Sequence, residues 1–168
     1  MAKENEYAMQ VKDVLEDYMQ KKELSYTFSE EYGLFYFYVS LSENAIKKID
    51  YFLYITESDF IVYAIMPIGV DASDAQAMHK AAEFICRANH GLIFGNFELD
   101  YDKGEIRYKY PVECFGKMPS LSTFERSIVI PLKMVDGYSV ELLKVIYLNK
   151  SIKEALEDCK NRTIQEEF

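Results

Sequence analysis

The stretch DASDAQAMHKAAEFICRANHGLIFGNFELDYDKGEIRYKYPV, residues 71–112, decides the fold because it reads as a helix followed by a β-hairpin. Short oxygen-bearing side chains at 71–74 can accept the free N–H groups of a first helical turn, so the pattern predicts a helix start there. Met78, Ala82 and Ile85 recur at helical spacing and give this helix an apolar face of mostly small residues. Gly91 follows, where a left-handed residue would end the helix.

The second half of the stretch predicts a hairpin of residues 97–101 and 106–110, in which Gly104 supplies the positive φ that a tight turn needs. Placing Tyr101 opposite Ile106 sorts the side chains into one apolar face and one charged face. On the charged face this alignment brings opposite charges together, namely Asp100 with Arg107 and Glu98 with Lys109. The pairing therefore specifies which side of the hairpin faces the core.

The rest of the chain supplies further helices and strands around this centre. Helices are predicted at three further places: up to about Lys22, from a capping box opened by Ser122, and from a second one opened by Ser151. Pro131 should kink the long helix or break it near Gly137. Strands are predicted at 26–28, 34–41, 49–56 and 60–66.

The resulting order, α-β-β-β-β-α-β-β-α-α, predicts a single α+β domain over residues 1–168. It consists of an antiparallel sheet of about six strands with helices packed on it. From about residue 160 the chain is polar, and we expect a frayed tail there.

Composition and charge bound the class of protein. A chain of 168 residues with 49% hydrophobic and 15% aromatic residues can bury a single sizeable core. Its formal net charge of −9 argues against a nucleic-acid backbone or an anionic membrane surface as partner. No apolar run reaches the roughly 20 residues that span a bilayer, and the first residues lack the apolar segment of a signal peptide. We therefore expect a cytoplasmic protein.

The residue types that usually carry catalysis or bind metals are few and scattered. The two histidines, His79 and His90, are too far apart for a helical ligand pair, and no cysteine lies at metal-ligand spacing from either. Cys86 lies within a helix rather than at a helix N-terminus, where a thiolate would be stabilised. Glu98 and Asp100 resemble a catalytic carboxylate pair, but cations face both of them across the hairpin. We expect no catalytic residue, cofactor or metal, and hence no enzymatic activity.

The first four strands carry apolar side chains on both faces. Phe35 and Phe37 point to one side of the sheet, and the tyrosines that alternate with them point to the other. In an antiparallel sheet this pattern indicates that the second face is also covered. The protein's own helices, a second subunit or a bound client protein could provide the cover. Because tyrosine is common at protein interfaces, four residues are candidate partner contacts: Tyr36, Tyr38, Tyr54 and Tyr63.

The hairpin stretch also carries a family resemblance. Residues 89–100, NHGLIFGNFELD, running on to GEIRY at 104–108, resemble the signature of the bacterial YbjN-type family, whose members are labelled sensory transduction regulators. Residues 64–67, 144–147 and 151–155 are similar to that family as well. The resemblance implies a fold like that of the type III secretion chaperones, which are small acidic dimers that hold extended client segments. Its motifs are structural glycines and apolar positions, so it implies no active site.

These observations predict a non-enzymatic protein-binding module, chaperone-like or regulatory, that forms a homodimer and binds a polypeptide client. We expect the dimer contact on the middle helix at Met78, Ala82 and Ile85, because small residues permit close approach of two helices. The alternative is a sensor domain that binds a small apolar molecule between the sheet and the helices. That function requires a closed pocket of roughly several hundred cubic ångströms lined by the aromatic strands.

Overall fold

The computed structural model describes residues 6–41 and 46–165. In this part of the chain the predicted fold class is confirmed, since four helices and a six-stranded antiparallel sheet follow one another in the expected order. The helices are α1 (Glu6–Lys21), α2 (Ala75–Asn89), α3 (Leu121–Leu148) and α4 (Ile152–Gln165). The strands are β1 (Tyr26–Ser29), β2 (Leu34–Ser40), β3 (Lys48–Ile55), β4 (Phe60–Ile65), β5 (Asn96–Leu99) and β6 (Ile106–Val112). The parts of the predicted domain at residues 1–5, 42–45 and 166–168 lie outside the described residues.

The sheet has the strand order β1-β2-β3-β4-β6-β5, and every neighbouring pair is antiparallel. Successive side chains point to opposite faces, and one face carries fully buried residues such as Phe35, Tyr51 and Phe60. α3 packs on this face. The ring of Phe60 stacks on that of Phe124 with 5.1 Å between centroids, and the Tyr51 hydroxyl donates a hydrogen bond to the carbonyl of Ile128. The core therefore lies between this face and the helices.

Two helices begin as the sequence predicts. The side chain of Asp74 accepts hydrogen bonds from the backbone N–H groups of Gln76 and Ala77, both at 3.0 Å, and so caps α2. At the start of α4, Ser151 accepts from the N–H of Glu154 while its own hydroxyl donates to the Glu154 carboxylate at 2.9 Å. Both caps satisfy N–H groups that a first helical turn leaves free.

The end of α2 differs from the prediction. His90 occupies the C-cap position with a right-handed φ of −59°, and Gly91 does not adopt the left-handed conformation expected of it. Gly91 instead donates its N–H to the carbonyl of Ala88, so a tighter turn closes the helix. The left-handed glycine comes later, at Gly95, where φ is 67°.

The long helix α3 also differs from the prediction. It begins with Ser120 as its cap, whose hydroxyl accepts the N–H of Thr123, so the capping box expected at Ser122 is wrong. The helix then continues through Pro131 and Gly137. A kink at Pro131 or a break near Gly137 was expected, and the break does not occur. A proline within a helix costs about 3 kcal/mol. Apolar side chains on both sides of Pro131 are buried in the core, and each of them contributes about 1.5–3 kcal/mol, which offsets that cost.

The β5–β6 hairpin forms, but its predicted register is wrong by two residues. Leu99, not Tyr101, pairs with Ile106. The reason lies in Asp100, whose carboxylate accepts hydrogen bonds from the N–H of Asp102 at 2.9 Å and from that of the next residue at 3.1 Å. Asp100 therefore belongs to the turn and not to the strand. Because side chains alternate with a period of two, this shift leaves every one of them on its predicted face.

The outer edge of β5 is occupied by a side chain from α2. The amide nitrogen of Asn89 donates to the carbonyl of Phe97 at 2.9 Å, and the Phe97 N–H donates to the amide oxygen of Asn89 at 2.8 Å. Asn89 thus bonds both backbone polar groups of Phe97, as a neighbouring strand would do. An edge strand protected in this way offers fewer free groups to another chain.

Candidate functional site: the open face of the sheet

None of the described helices packs on the second face of the sheet, which we call the open face. On the four central strands it consists of Leu34, Tyr36 and Tyr38 of β2, Asp50, Phe52 and Tyr54 of β3, Ile61, Tyr63 and Ile65 of β4, and Arg107, Lys109 and Pro111 of β6, with Lys48 and Glu98 at its margins. None of these side chains is buried, whereas most of the residues that alternate with them are. For the described residues, cover by the protein's own helices is therefore excluded.

The centre of the open face has a regular chemical pattern set by the strand register. Its cross-strand rows read, from β3 through β4 to β6, Asp50, Ile65 and Arg107; Phe52, Tyr63 and Lys109; and Tyr54, Ile61 and Pro111. The β3 side thus supplies a carboxylate and two aromatic rings. The β4 line supplies an apolar centre, and the β6 side supplies two cations and a proline.

The aromatic side chains of the open face are packed against one another. The rings of Tyr36 and Phe52 lie 5.3 Å apart, and those of Tyr54 and Tyr63 lie 5.9 Å apart and edge to face. The Tyr36 hydroxyl donates to the carboxylate of Asp50 at 2.8 Å. Tyr54 nevertheless remains 38% exposed. Rings held in place before a partner arrives lose little conformational entropy on binding.

The charges at the β6 side are paired within the chain. Nε of Arg107 lies 2.8 Å from the carboxylate of Glu98, and the guanidinium stacks over the ring of Tyr63 at 4.2 Å. Nζ of Lys109 lies 3.4 Å from the same carboxylate. Burial acts to raise the pKa of Glu98, but hydrogen bonds and charge from the two cations outweigh it and hold the pKa below its ordinary value. An ionised, paired carboxylate of this kind is not poised for acid–base chemistry.

A second ion pair lies towards the other side of the open face. Nζ of Lys48 is 2.8 Å from the carboxylate of Asp50 and lies over the ring of Tyr38 at 4.6 Å. Burial acts to raise the pKa of Asp50, but hydrogen bonds from Lys48 and Tyr36 lower it overall. With Glu105 at the rim included, the open face carries three cations and three carboxylates. The acidity behind the net charge of −9 therefore lies elsewhere on the chain.

A shallow depression of about 130 Å³ lies on the open face beside Arg107. It is lined by Phe52, Tyr54, Tyr63, Ile65, Glu105 and Arg107. This arrangement can accept an apolar side chain against its rings and a charged or polar group at its rim. Aromatic and Arg side chains of this kind are enriched at protein contact surfaces.

The structure separates the two sets of candidate contact residues. Met78 and Ile85 are 3% and 6% exposed because they belong to the protein's own core, and Ala82 is half-buried. These three therefore present little surface to a second copy. The four candidate tyrosines, in contrast, lie together on the open face: Tyr36, Tyr38, Tyr54 and Tyr63.

Sequence reasoning missed several residues of the open face. They are Phe52, Ile61, Ile65, Arg107 and Lys109. Strand alternation could have found the first three, since each lies an even number of positions from a candidate tyrosine on its own strand. The two cations were assigned to the charged side of the hairpin. Only the pairing of β6 with β4 shows that this side continues into the tyrosine face.

The residues considered for chemistry are dispersed in the structure. Cys86 is exposed while Cys114 and Cys159 are buried, and His79 and His90 are exposed. Within residues 6–41 and 46–165, no group of three His, Cys, Asp or Glu side chains is arranged to hold a metal ion.

No described helix has both the length and the apolar character that crossing a membrane requires. No protein-family model matches the chain, and no curated protein matches it at a significant level. Fold and site therefore define a class only, an α+β domain whose antiparallel sheet leaves an aromatic face uncovered in the described structure.

Proposed function

We propose that this chain is a non-enzymatic protein-binding module of the cytoplasm, chaperone-like or regulatory, and that the open face is its contact surface. The observation that carries the proposal is the uncovered, prepacked set of aromatic rings on the central strands. Large apolar side chains held at a surface favour association, because burying apolar area gives a favourable free energy of about 25 cal/mol per Å².

The chemistry of the open face supports a protein partner over other classes. Tyrosine and arginine are the residue types that dominate binding energy at protein interfaces, and here Arg107 stacks on Tyr63 within the face. An overall charge of −9 disfavours nucleic acid. The resemblance of residues 89–108 to the YbjN-type family points towards a chaperone-like or regulatory role and stays a prediction.

A second candidate is the sensor function, and one observation favours it. A depression of about 360 Å³ lies between α1 and the sheet, lined by Ala8, Met9, Lys12, Phe28, Glu30, Gly33 and Ile55. Its size suits a small molecule, but it is open, and only Phe28 of its lining is aromatic, so it is not the closed aromatic pocket that the sensor function requires. The two functions differ in the position of their contacts. A ligand here would touch Met9 and Phe28, and its binding would be insensitive to substitution of Tyr54.

Tyr54→Glu tests the proposed contact surface. It places a charge among the rings of the open face, so we expect about tenfold less protein complex than the wild type forms. Size-exclusion chromatography of a fresh extract from the cells that produce the protein measures the apparent mass of the tagged full chain.

The matched control is Tyr147→Glu, at a tyrosine of α3 that is 57% exposed and lies away from the open face. This variant should elute as the wild type does. Identical elution of the wild type and Tyr54→Glu, or elution of the wild type as a monomer, would remove the proposal.

A further inference from the structure

We infer that a second copy of this chain occupies the open face, related to the first by a twofold axis that runs along β4 between the two sheets. The inference rests on the proposed function, because it names the partner of the same surface. It also moves the expected dimer contact from α2, where Met78 and Ile85 are buried, to the sheet.

The argument begins with symmetry. A rotation by 180° about an axis parallel to β4 leaves the position of each residue along the strand direction unchanged. It places the β3 side of one copy opposite the β6 side of the other. In such an isologous contact, if one residue faces a second, then the second faces the first. Two sheets packed face to face in this way are nearly aligned, which is a common packing mode.

The rows of the open face are complementary under this operation. Asp50 would face the partner's Arg107, Phe52 would face the partner's Lys109, and Tyr54 would face the partner's Pro111. These contacts are an ion pair, a cation over a ring, and a proline against a ring. Along the axis, each apolar residue of β4 would meet its own counterpart, namely Ile61, Tyr63 and Ile65. Each copy thus supplies both halves of the match.

The charged groups at the centre of this match retain bonding capacity. Tyr36 and Lys48 both contact Oδ1 of Asp50, so neither of these two contacts uses its other oxygen. Arg107 donates to Glu98 through Nε, and a guanidinium carries four further N–H donors on its terminal nitrogens. A bond between Asp50 and the partner's Arg107 can therefore be added without breaking either pair already present.

The net charge does not oppose the contact. Two copies of charge −9 repel each other at long range, but this repulsion is screened beyond about 8 Å at physiological ionic strength. At short range the strands of the open face carry three cations and two carboxylates, and Glu105 beside Arg107 brings the face to a balanced charge. The open face is therefore a part of this acidic chain on which a second copy can come close.

A charge-swap experiment on the purified full chain tests the inference by sedimentation velocity at micromolar concentration. We expect the wild type to be a dimer. Asp50→Arg places like charges opposite each other twice per dimer, and so does Arg107→Asp. Each variant alone should therefore dimerise about a hundredfold more weakly or worse. An equimolar mixture of the two variants restores both ion pairs and should form a heterodimer. Because mixing does not rescue a misfolded chain, recovery also shows that both variants fold.

Arg87→Asp is the matched control, since Arg87 is an exposed arginine of α2 paired with Glu83; it should leave dimerisation unchanged. A monomeric wild type, a dimer that Arg107→Asp does not weaken, or variants that fail to combine would each overturn the inference. If the purified chain is monomeric while Tyr54→Glu still removes complexes from extract, the inference of a second copy is wrong. The proposal that the open face is a contact surface then still holds. If Tyr54→Glu has no effect in extract, the proposed function itself fails.

Discussion

Gly104→Ala is expected to lower the free energy of unfolding by about 4 kcal/mol or more, one of the largest effects that a single methyl group can have. Gly104 has a φ of 70° and is buried in the β5–β6 turn, with its carbonyl accepting the N–H of Val70 at 2.8 Å. A β-carbon on Gly104 would overlap the carbonyl oxygen of Val70 and would lie 2.8 Å from its carbonyl carbon. Both obstacles are backbone atoms, so the turn would have to separate from the segment that leads into α2.

Gly116→Ala separates backbone strain from this clash. Gly116 has nearly the same φ, 71°, but nothing lies within 4 Å of the position that its β-carbon would take. We expect a loss of only about 1 kcal/mol, the usual penalty of a left-handed residue. Urea unfolding followed by circular dichroism measures both variants. Equal losses would contradict a close backbone contact between Gly104 and Val70.

Glu141→Gln is expected to lower the free energy of unfolding by about 2 kcal/mol at neutral pH, because it leaves two lysines without their buried partner. Glu141 is 1% exposed, and its carboxylate lies 2.7 Å from Nζ of Lys144 and 2.5 Å from Nζ of Lys150. Lys150 also contacts Asp158 of α4, so the network ties the end of α3 to α4. Both lysines are partly exposed and can regain water, which keeps the expected loss below that of a fully buried pair.

The effect of Glu141→Gln should depend on pH. Burial acts to raise the pKa of Glu141, but hydrogen bonds from the two lysines outweigh it and lower the pKa below its ordinary value of 4.5. The unfolded chain therefore takes up the proton first, and the stabilisation is lost as the pH falls through the lowered value. Denaturation at several pH values should show the difference between wild type and variant shrinking in acid. Glu83→Gln, at an exposed pair with Arg87, should cost at most about 1 kcal/mol. A pH-independent difference for Glu141→Gln would contradict this account.

Most elements of the fold follow from local chemistry, and the sequence shows that chemistry directly. Asp74 and Ser151 cap the helices that they precede, and alternation alone assigned the faces of β5 and β6 correctly. The hairpin register was not predictable in the same way. It depends on a side chain, Asp100, that bonds the turn backbone, and registers two residues apart bury the same side chains. The continuity of α3 through Pro131 likewise depends on burial of its flanks, which is a property of the whole fold.

The tyrosines of the candidate site were predictable from the sequence, but their exposure and the two cations beside them, Arg107 and Lys109, were not. The alternation of side chains along the strands places Tyr36 and Tyr54 on one face of the sheet. Whether helices cover that face depends on long-range packing. Tyr51 shows the difficulty, because it lies three residues from Tyr54 and is fully buried under α3. Tyrosine suits both a buried and a half-exposed strand face, so residue type does not distinguish the two.

Photo-crosslinking from the open face tests its role as a protein contact surface most directly. A photoreactive phenylalanine analogue replaces Tyr54 in one full-length variant and Tyr147 in another, and both are irradiated in native extract. The two positions are matched as partly exposed tyrosines, but only Tyr54 lies on the open face. We expect covalent protein–protein adducts from position 54 and only background from position 147. Equal adduct yields from the two positions, or none from position 54, would contradict the assignment of the open face as the binding surface.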